Sequence, residues 1–553
     1  MFLPGITFSN SRPAQSGLSS RADVAMFVGC VARREAAVPD RMRAGLAAEG
    51  WSEAGLFKAK PERIDALLDI PVPVESWSEF DGLFAWERRP AAPGSADMLP
   101  TPLGLAVKAF FEEGGAKAYI VRTGDPVALA DPDALPEAFA KAKRALLSVG
   151  TVPPGRAAIL PGFETGKGCD PADPATWSGA GLIYAVDDAA MLLLPDLIDV
   201  CAGNPQLAPD PPDPPGPPEI FKPCAPPAPE LAPLARVARP EYRAPRLDAA
   251  GYALWAGALA FALDLLGRPK GPAHRRDVML VSAFPLPLAG ADFPQGEESD
   301  PLAILSRPGT SSGSEPGSPG ETLSLLDAAA IGNARLQLGY PWVETAASVG
   351  IPEGLQSPEG LLAGLIARTS LTDGAFRSAA GRPCKTVRRL HPDLGESRIR
   401  RGLPGGASDW MGDRLCLVGQ KRDRVELLSD ATMSPDPQWR AGGVSRLMGI
   451  ILRAARSFGD DLVFEPSGPA LWAAIRSTVE TFLEGLRERG ALDGRISEEA
   501  YEVACDESSM TAADRDSGRV ICRIGFTAAY PIQHIEVSLL LLEAAACQVR
   551  EAA

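Results

Sequence analysis

Fifteen prolines crowd residues 205–245. Proline lacks a backbone N–H and fixes φ, so a segment this dense supports neither a helix nor a sheet ladder. It is expected to run as polyproline II or as a surface connector between ordered regions. A ligand for proline-recognising modules is the alternative reading. A second break, residues 308–321 (PGTSSGSEPGSPGE), has the Gly/Ser composition of a mobile loop. With 553 residues, these breaks fit about three or four domains.

The chain is 45% hydrophobic and 23% charged, ordinary globular usage with enough apolar residues to fill a core. Its formal net charge is −15. An acidic chain is repelled by phosphate backbones and anionic lipid, so neither direct nucleic-acid binding nor membrane insertion is expected. The first residues, MFLPGITFSNSRPAQ, lack a charged stretch followed by an apolar one, so no signal peptide is read there. No run approaches the ~18 apolar residues of a membrane span. The expectation is a soluble chain made in the cytosol.

Between the breaks the pattern alternates helix and strand. Ala22–Gly29 is apolar and β-prone, as a buried strand would be. Residues 102–114 place Leu103, Val107, Phe110 and Phe111 on one helical face, stopped by Gly114-Gly115, and Ala118–Arg122 follows as a strand. Residues 133–148 read as helix and 157–162 as strand. Tyr252–Leu266 reads as a helix and Val278–Ser282 as a short strand. Residues 322–339 and 358–369 read as helices, and Trp410–Gln420 and Val425–Leu428 as strands. Such alternation implies a layered α/β (α+β) architecture.

The last hundred residues carry the clearest periodicity. Leu447, Ile451, Ala454 and Phe458 line one stripe of a helix over 443–458. Leu471, Ile475, Val479, Phe482 and Leu486 do so over 468–489, with Asp461–Phe464 as a strand between the two helices. Tyr501–Cys505 and Arg519–Phe526 read as strands, and Ile532–Leu542 as a long apolar strand.

Chemistry-bearing motifs are sparse. The three histidines, His274, His391 and His534, lie far apart in sequence and read as surface or capping residues. Gly309-x-Ser311-x-Gly313 matches the esterase elbow by letter, but it lies in a Gly/Ser/Pro loop rather than between strand and helix. Gly162–Gly168 lacks the spacing of a phosphate loop. Nine scattered cysteines show no metal-ligand spacing, which favours buried free thiols. No catalytic residue, cofactor or metal site is expected.

The order of motifs after residue 439 resembles the core domain of the sheath proteins of contractile phage tails and related injection systems. Trp439-Arg440 and Gly443-Val-Ser-Arg-Leu447 open it, followed by Leu462-Val-Phe464, Glu465-Pro466, Leu471-Trp472 and Ile475-Arg476. Phe482-Leu483, Gly490-Ala-Leu492, Tyr501–Asp506, Gly518-Arg-Val520, Ile524-Gly-Phe526, Pro531 and Ile535–Leu541 complete it. Tyr340-Pro-Trp342, Pro358 and Ala363–Arg368 resemble the segment before this core. Phe27-Val-Gly29 and Ala106–Gly124 resemble the family's first half. The resemblance covers roughly residues 20–125 and 335–542; residues 150–330 match nothing that anchors them.

The resemblance implies a multidomain α/β (α+β) chain. Its core domain is built from both chain ends, with middle domains inserted outward and extended terminal arms. The expected divisions are an arm over 1–20, the first part of the core over 21–150 and inserted outer domains over 151–335. A returning segment over 336–438, the C-terminal core over 439–530 and a final strand or arm over 531–553 follow. The arms, with Ile6, Phe8, Ile535, Val537, Leu539 and Leu541, would add strands to neighbouring copies. The partners implied are other copies of the chain in a large helical homo-oligomer, an inner tail tube protein, and baseplate and tail terminator proteins. The place implied is the virion tail, assembled in the host cytoplasm, where the sheath would contract to drive the tube through a cell envelope without a nucleotide cofactor.

Arg446, Arg453 and Arg456 on the helix over 443–458 are the candidate tube contact, against the alternative of a solvated basic face. Cys505, Cys522 and Cys547 are the candidates for cross-links between subunits. Within the family, a non-phage injection particle is an alternative. Outside it stand an α/β enzyme with a cleft near 157–200 and a proline-rich adhesion or scaffold protein.

Overall fold

The computed structural model describes residues 21–148, 155–166, 168–203, 242–267, 275–290, 300–306, 331–399, 411–462, 468–516 and 519–530, with Phe293, Gly296 and Glu298. The arm over 1–20, most of the proline-rich segment, the loop over 308–321, the strand over 532–542, Cys224, Cys547, His274 and His534 lie outside the described residues. Contacts divide the chain into two compact units, Met1–Pro466 and Ser467–Ala553.

The first unit is organised by one eight-stranded sheet. Its strands are β1 (Ala25–Cys30), β2 (Pro71–Val74), β3 (Ala118–Gly124), β4 (Met191–Leu193), β5 (Met279–Ala283), β6 (Leu336–Tyr340), β7 (Cys416–Lys421) and β8 (Arg424–Leu427). Their order is β8-β7-β6-β5-β4-β1-β3-β2. The six inner strands run parallel, and β2 and β8 close the edges antiparallel. A parallel strand needs cover on both faces, and the sequence supplies it: every residue of β1, β3, β4, β5 and β6 is buried.

The helices that supply this cover form where the sequence allows. Helix α1 (Pro102–Glu113) starts at Thr101, whose hydroxyl accepts from the Gly104 amide at 3.1 Å, and ends at Gly114 with φ 118°. Helix α2 (Ala249–Gly267) is long and apolar enough to cross a bilayer by length and composition. Here it packs in the core through Tyr252, Trp255, Leu259 and Leu263. Helix α3 (Glu359–Thr372) crosses α1 at close range. A Cβ on Gly360 would fall on the Ala106 carbonyl, and one on Gly364 would sit 2.6 Å from the Phe110 carbonyl oxygen. Helix α4 (Gly442–Leu462) buries Val444, Leu447, Ile450, Ile451 and Ala454.

Glu113 ties the first part of the chain to residues far along it. One carboxylate oxygen accepts from the Lys385 and Thr386 amides at 2.8 and 3.0 Å and from the Thr386 hydroxyl; the other faces Arg368 at 3.6 Å. Residues from the early and late parts of the first unit therefore meet at one buried carboxylate.

Several sequence expectations are corrected. The described parts of 151–335 form no separate outer domain: β4 and β5 lie in the middle of the sheet, between β1 and β6. Residues 336–339 are strand, not helix. Residues 157–162 cross the core without joining a ladder; the Ile159 and Leu160 amides bond to the Leu146 and Leu147 carbonyls. Helix α4 continues through Asp461 and Leu462, where a strand was expected. The compact first unit also takes α4 with it, so its boundary falls after the start of the expected C-terminal core.

The second unit is small. Helix α5 (Pro469–Glu488) buries Trp472, Val479, Leu483 and Leu486. A ladder of β9 (Tyr501–Ala504) and β10 (Arg523–Phe526) pairs antiparallel. Trp472, Cys505 and Met510 form a cluster with Ile475, Val520, Ile521 and Cys522 around it. Glu484 on α5 accepts from Arg487, from the Ser497 hydroxyl at 3.1 Å and from the Tyr501 hydroxyl at 3.2 Å, joining helix to ladder.

Candidate functional site

The chain enters the sheet at β1 and reaches β3 on one side and β4 on the other, so the topology reverses between β1 and β4. In open α/β sheets the crevice at such a reversal, beyond the carboxyl ends of the strands, is where ligands commonly bind. Here the Asp196 carboxylate sits at that place. It accepts from the Cys30 amide at the end of β1 and from the Leu103 amide at the start of α1. A Cβ on Gly29 would overlap it, so glycine makes the room. A side-chain carboxylate thus takes the position an anionic ligand would hold at a helix N-terminus. Burial pushes its acid group up to about 7, against the opposing effect of the Cys30 amide. Glu359 is likewise buried and raised to about 7, with one oxygen accepting from Ser357 at 2.6 Å.

The opposite, amino-terminal edge of the sheet carries a buried ionic cluster. Arg446, Ile450 and Arg453 stand at i, i+4 and i+7 on α4, one row of the helix. This row faces Met191, Met279 and Gln337 at the starts of β4, β5 and β6. Arg446 grips Asp430 with two nitrogens at 3.1 and 2.6 Å and donates to the Ala375 and Arg377 carbonyls. Asp430 also accepts from Gln337 at 2.7 Å and the Ala379 amide at 2.8 Å. Arg446, first among its charged neighbours, holds the Asp430 carboxyl below its ordinary range despite complete burial.

One turn-pair further on, Asp277 meets three arginines. Arg275 lies at 3.2 Å, Arg456 at 3.2 Å and Arg453 at 3.6 Å, and Arg453 donates to the Asp277 and Arg21 carbonyls at 2.8 Å. Arg275 further donates to the carbonyls of Ile183, Val186 and Ala189. Desolvation lowers the Arg453 guanidinium to about 10, and Asp277 opposes that shift.

This corrects the expectation of an outward basic face. Arg446 is 3% and Arg453 7% exposed, and both spend their charge inside the chain; Arg456 is half-buried beside Asp277. The signal lay in the spacing: Arg446 and Arg453 flank Ile450 at the edge of the apolar stripe. Their partners, Asp277 and Asp430, are distant in sequence and carried no signal.

Cys505 is buried and Cys522 half-buried, both as free thiols in the second unit. Gly162–Gly166 forms a turn. His391 ends a short strand, with Nε2 3.1 Å from Glu298. Among the described residues, no group of three or more His, Cys, Asp or Glu gathers to hold a metal ion.

The fold is thus a doubly wound α/β unit with a carboxylate at its switch point and a buried arginine clamp beneath, followed by a small helix-and-ladder unit. Residues 434–539 match the family model described as phage tail sheath C-terminal domain. Three solved structures share the fold over nearly the whole chain. The anti-feeding prophage helical sheath in its contracted state is 18% identical, covering 98% of this chain and 99% of that one, with TM-score 0.51. The anti-feeding prophage baseplate in its contracted state is 15% identical over 98% and 99%, with TM-score 0.53. The sheath complex of an extracellular contractile injection system, PVC, in its contracted state is 14% identical over 99% of each, with TM-score 0.50. A search of curated protein sequences finds no match. Residues 434–539 thus resemble the C-terminal domain of contractile tail sheath proteins, and the chain shares its fold with solved contractile sheaths.

Proposed function

We propose that this chain is the repeating subunit of a contractile sheath that polymerises around an inner tube and drives it through a target envelope. The observation that carries this reading is the match of residues 434–539 to the sheath C-terminal domain, within a chain whose fold is shared with solved contractile sheaths. Its partners are other copies of itself, the tube protein, and baseplate and tail terminator proteins. The residue ranges 1–20 and 531–553, with Ile6, Phe8, Ile535, Val537, Leu539 and Leu541, act as arms between copies by strand addition. Contraction releases energy stored across many identical interfaces, each of which repacks between two arrangements. The assembled place is the tail of a virion, built in the host cytoplasm. The full-length likeness to sheaths of the anti-feeding prophage and of an extracellular injection system favours a second reading within the same class, a particle without a capsid.

Negative-stain electron microscopy of the purified chain, alone and with its tube protein, tests the proposal. Hollow tubes of regular helical repeat, lost on deleting 1–20 or 532–553, are the expected result. Small discrete particles under both conditions would overturn it. Purified native particles separate the two settings: DNA-filled capsids at the sheath end mark a phage, and bare sheaths mark an injection particle.

A further inference from the structure

The second unit sets two thiols face to face. In the β9–β10 ladder Tyr501 pairs with Phe526, Val503 with Ile524 and Ala504 with Arg523. One step further, the same register puts Cys505 opposite Cys522. The Thr527 amide donates to the Ala500 carbonyl at 2.9 Å, which marks 500/527 as a hydrogen-bonded pair. Pairs alternate along an antiparallel ladder, so 505/522 is of the non-hydrogen-bonded kind, whose side chains lie closer. Both side chains share the face that carries Val503 and Ile524, and both pack in the Trp472 cluster. The intervening loop is fastened beside them, because the Ser509 hydroxyl donates to the Ile521 carbonyl at 2.7 Å. Separations across such pairs fall within the range a disulfide bridges.

We propose that Cys505 and Cys522 are an oxidisable pair that closes a disulfide within one chain, stapling the ladder beneath α5, rather than linking neighbouring subunits. The oxidant is a small-molecule disulfide. The half-buried Cys522, as thiolate, attacks one sulfur of that disulfide and releases one small thiolate. The Cys505 thiolate then attacks the Cys522 sulfur in the mixed disulfide and releases the second. The protons lost by the two cysteines go to the two released thiolates, so one disulfide is reduced as one is formed. Burial raises both thiols, Cys522 to about 11, so thiolate is scarce at neutral pH and closure is slow there. The rate rises roughly tenfold per pH unit from 7 to 9. The staple does not depend on the chain's being a sheath subunit.

The test uses the full-length wild-type chain, incubated with oxidised glutathione, alkylated, and digested with trypsin without reduction. Cleavage at Arg495, Arg515, Arg519 and Arg523 leaves Cys505 and Cys522 on separate peptides, 496–515 and 520–523. The expected product is these two peptides joined, lighter by two hydrogen atoms than their sum. In an equal mixture of unlabelled and heavy-nitrogen chains, joined pairs should be wholly light or wholly heavy. Mixed pairs, or both cysteines alkylated after prolonged oxidation at pH 9, would overturn the proposal. Cys522→Ser should abolish the joined product while leaving Cys505 to be alkylated after unfolding.

Discussion

Arg446 holds the Asp430 carboxylate with two nitrogens, at 3.1 and 2.6 Å, where neither side chain is more than 2% exposed. An ion pair this dry gains little over a well-packed apolar pair, because both charges lost their water. What it does enforce is that neither partner can be removed alone.

Arg446→Met is therefore expected to destabilise the first unit by about 3–5 kcal/mol, since it strands a buried carboxylate. Adding Asp430→Leu should recover most of that loss. Urea denaturation of the four chains of this cycle reads the coupling directly. A single variant within about 1 kcal/mol of wild type would contradict the buried pair.

The crossing of α1 and α3 gives a steric prediction. Gly360→Ala places a methyl on the Ala106 backbone, which has no free end to swing aside, and should cost about 3 kcal/mol or more. Gly45→Ala is the control. Gly45 lies exposed in the helix Asp40–Ala48 with nothing near its Cβ position. That change should stabilise by about 0.5–1 kcal/mol. Thermal melts of the two variants should move in opposite directions.

The buried carboxyls set the pH response. Asp196 and Glu359 keep their protons up to about 7 in the folded chain, whereas the unfolded chain gives them up near pH 4. Between those values the folded chain binds more protons, so stability falls as pH rises from about 4 to 7. Asp430 and Asp277 act the other way, because their folded values are depressed and their contribution is lost as pH falls below about 4. The optimum should be mildly acidic. Glu359→Gln should flatten the decline and be more stable than wild type at pH 8, by on the order of 2 kcal/mol. Chemical denaturation at pH 5 and pH 8 checks this, and an unchanged slope would contradict it.

Glu113→Gln tests the link between the early and late parts of the chain. It keeps an acceptor for the Lys385 and Thr386 amides and removes the charge facing Arg368. The expected cost is about 1–3 kcal/mol, read by urea denaturation. Hydrogen exchange should show the Lys385 and Thr386 amides losing protection first.

Much of this architecture could be read from residues alone. The α1–β3 unit announced itself through the spacing of Leu103, Val107 and Phe110 and the stop at Gly114. The stripe of α4 was equally plain, whereas in α5 Val479 and Leu486 are buried as expected but Trp472 and Leu483 take the places expected of Leu471 and Phe482. The middle of the sheet was hidden for a physical reason. Strand β4 is three residues long, and β6 is a short run buried on both faces, where helix and strand leave the same apolar signature. The stretch 157–162 looked like a strand because its side chains are buried, yet only the Ala157 amide reaches β3, at the Thr123 carbonyl, and the Ile159 and Leu160 amides bond to the Leu146 and Leu147 carbonyls instead of to a ladder. The arginines misled because charge was read as exposure, while their acidic partners sit far away in sequence.

Arg446 and Arg453 are seven residues apart, about 10 Å along the axis of α4. Each is pinned to a different acid on a different part of the sheet's lower edge. A rod fastened at one point can pivot, and one fastened at two points along one side cannot pivot unless one of them breaks. A pull along the axis of α4 therefore loads the two fastenings together, in shear, and passes through both to the edge of the sheet.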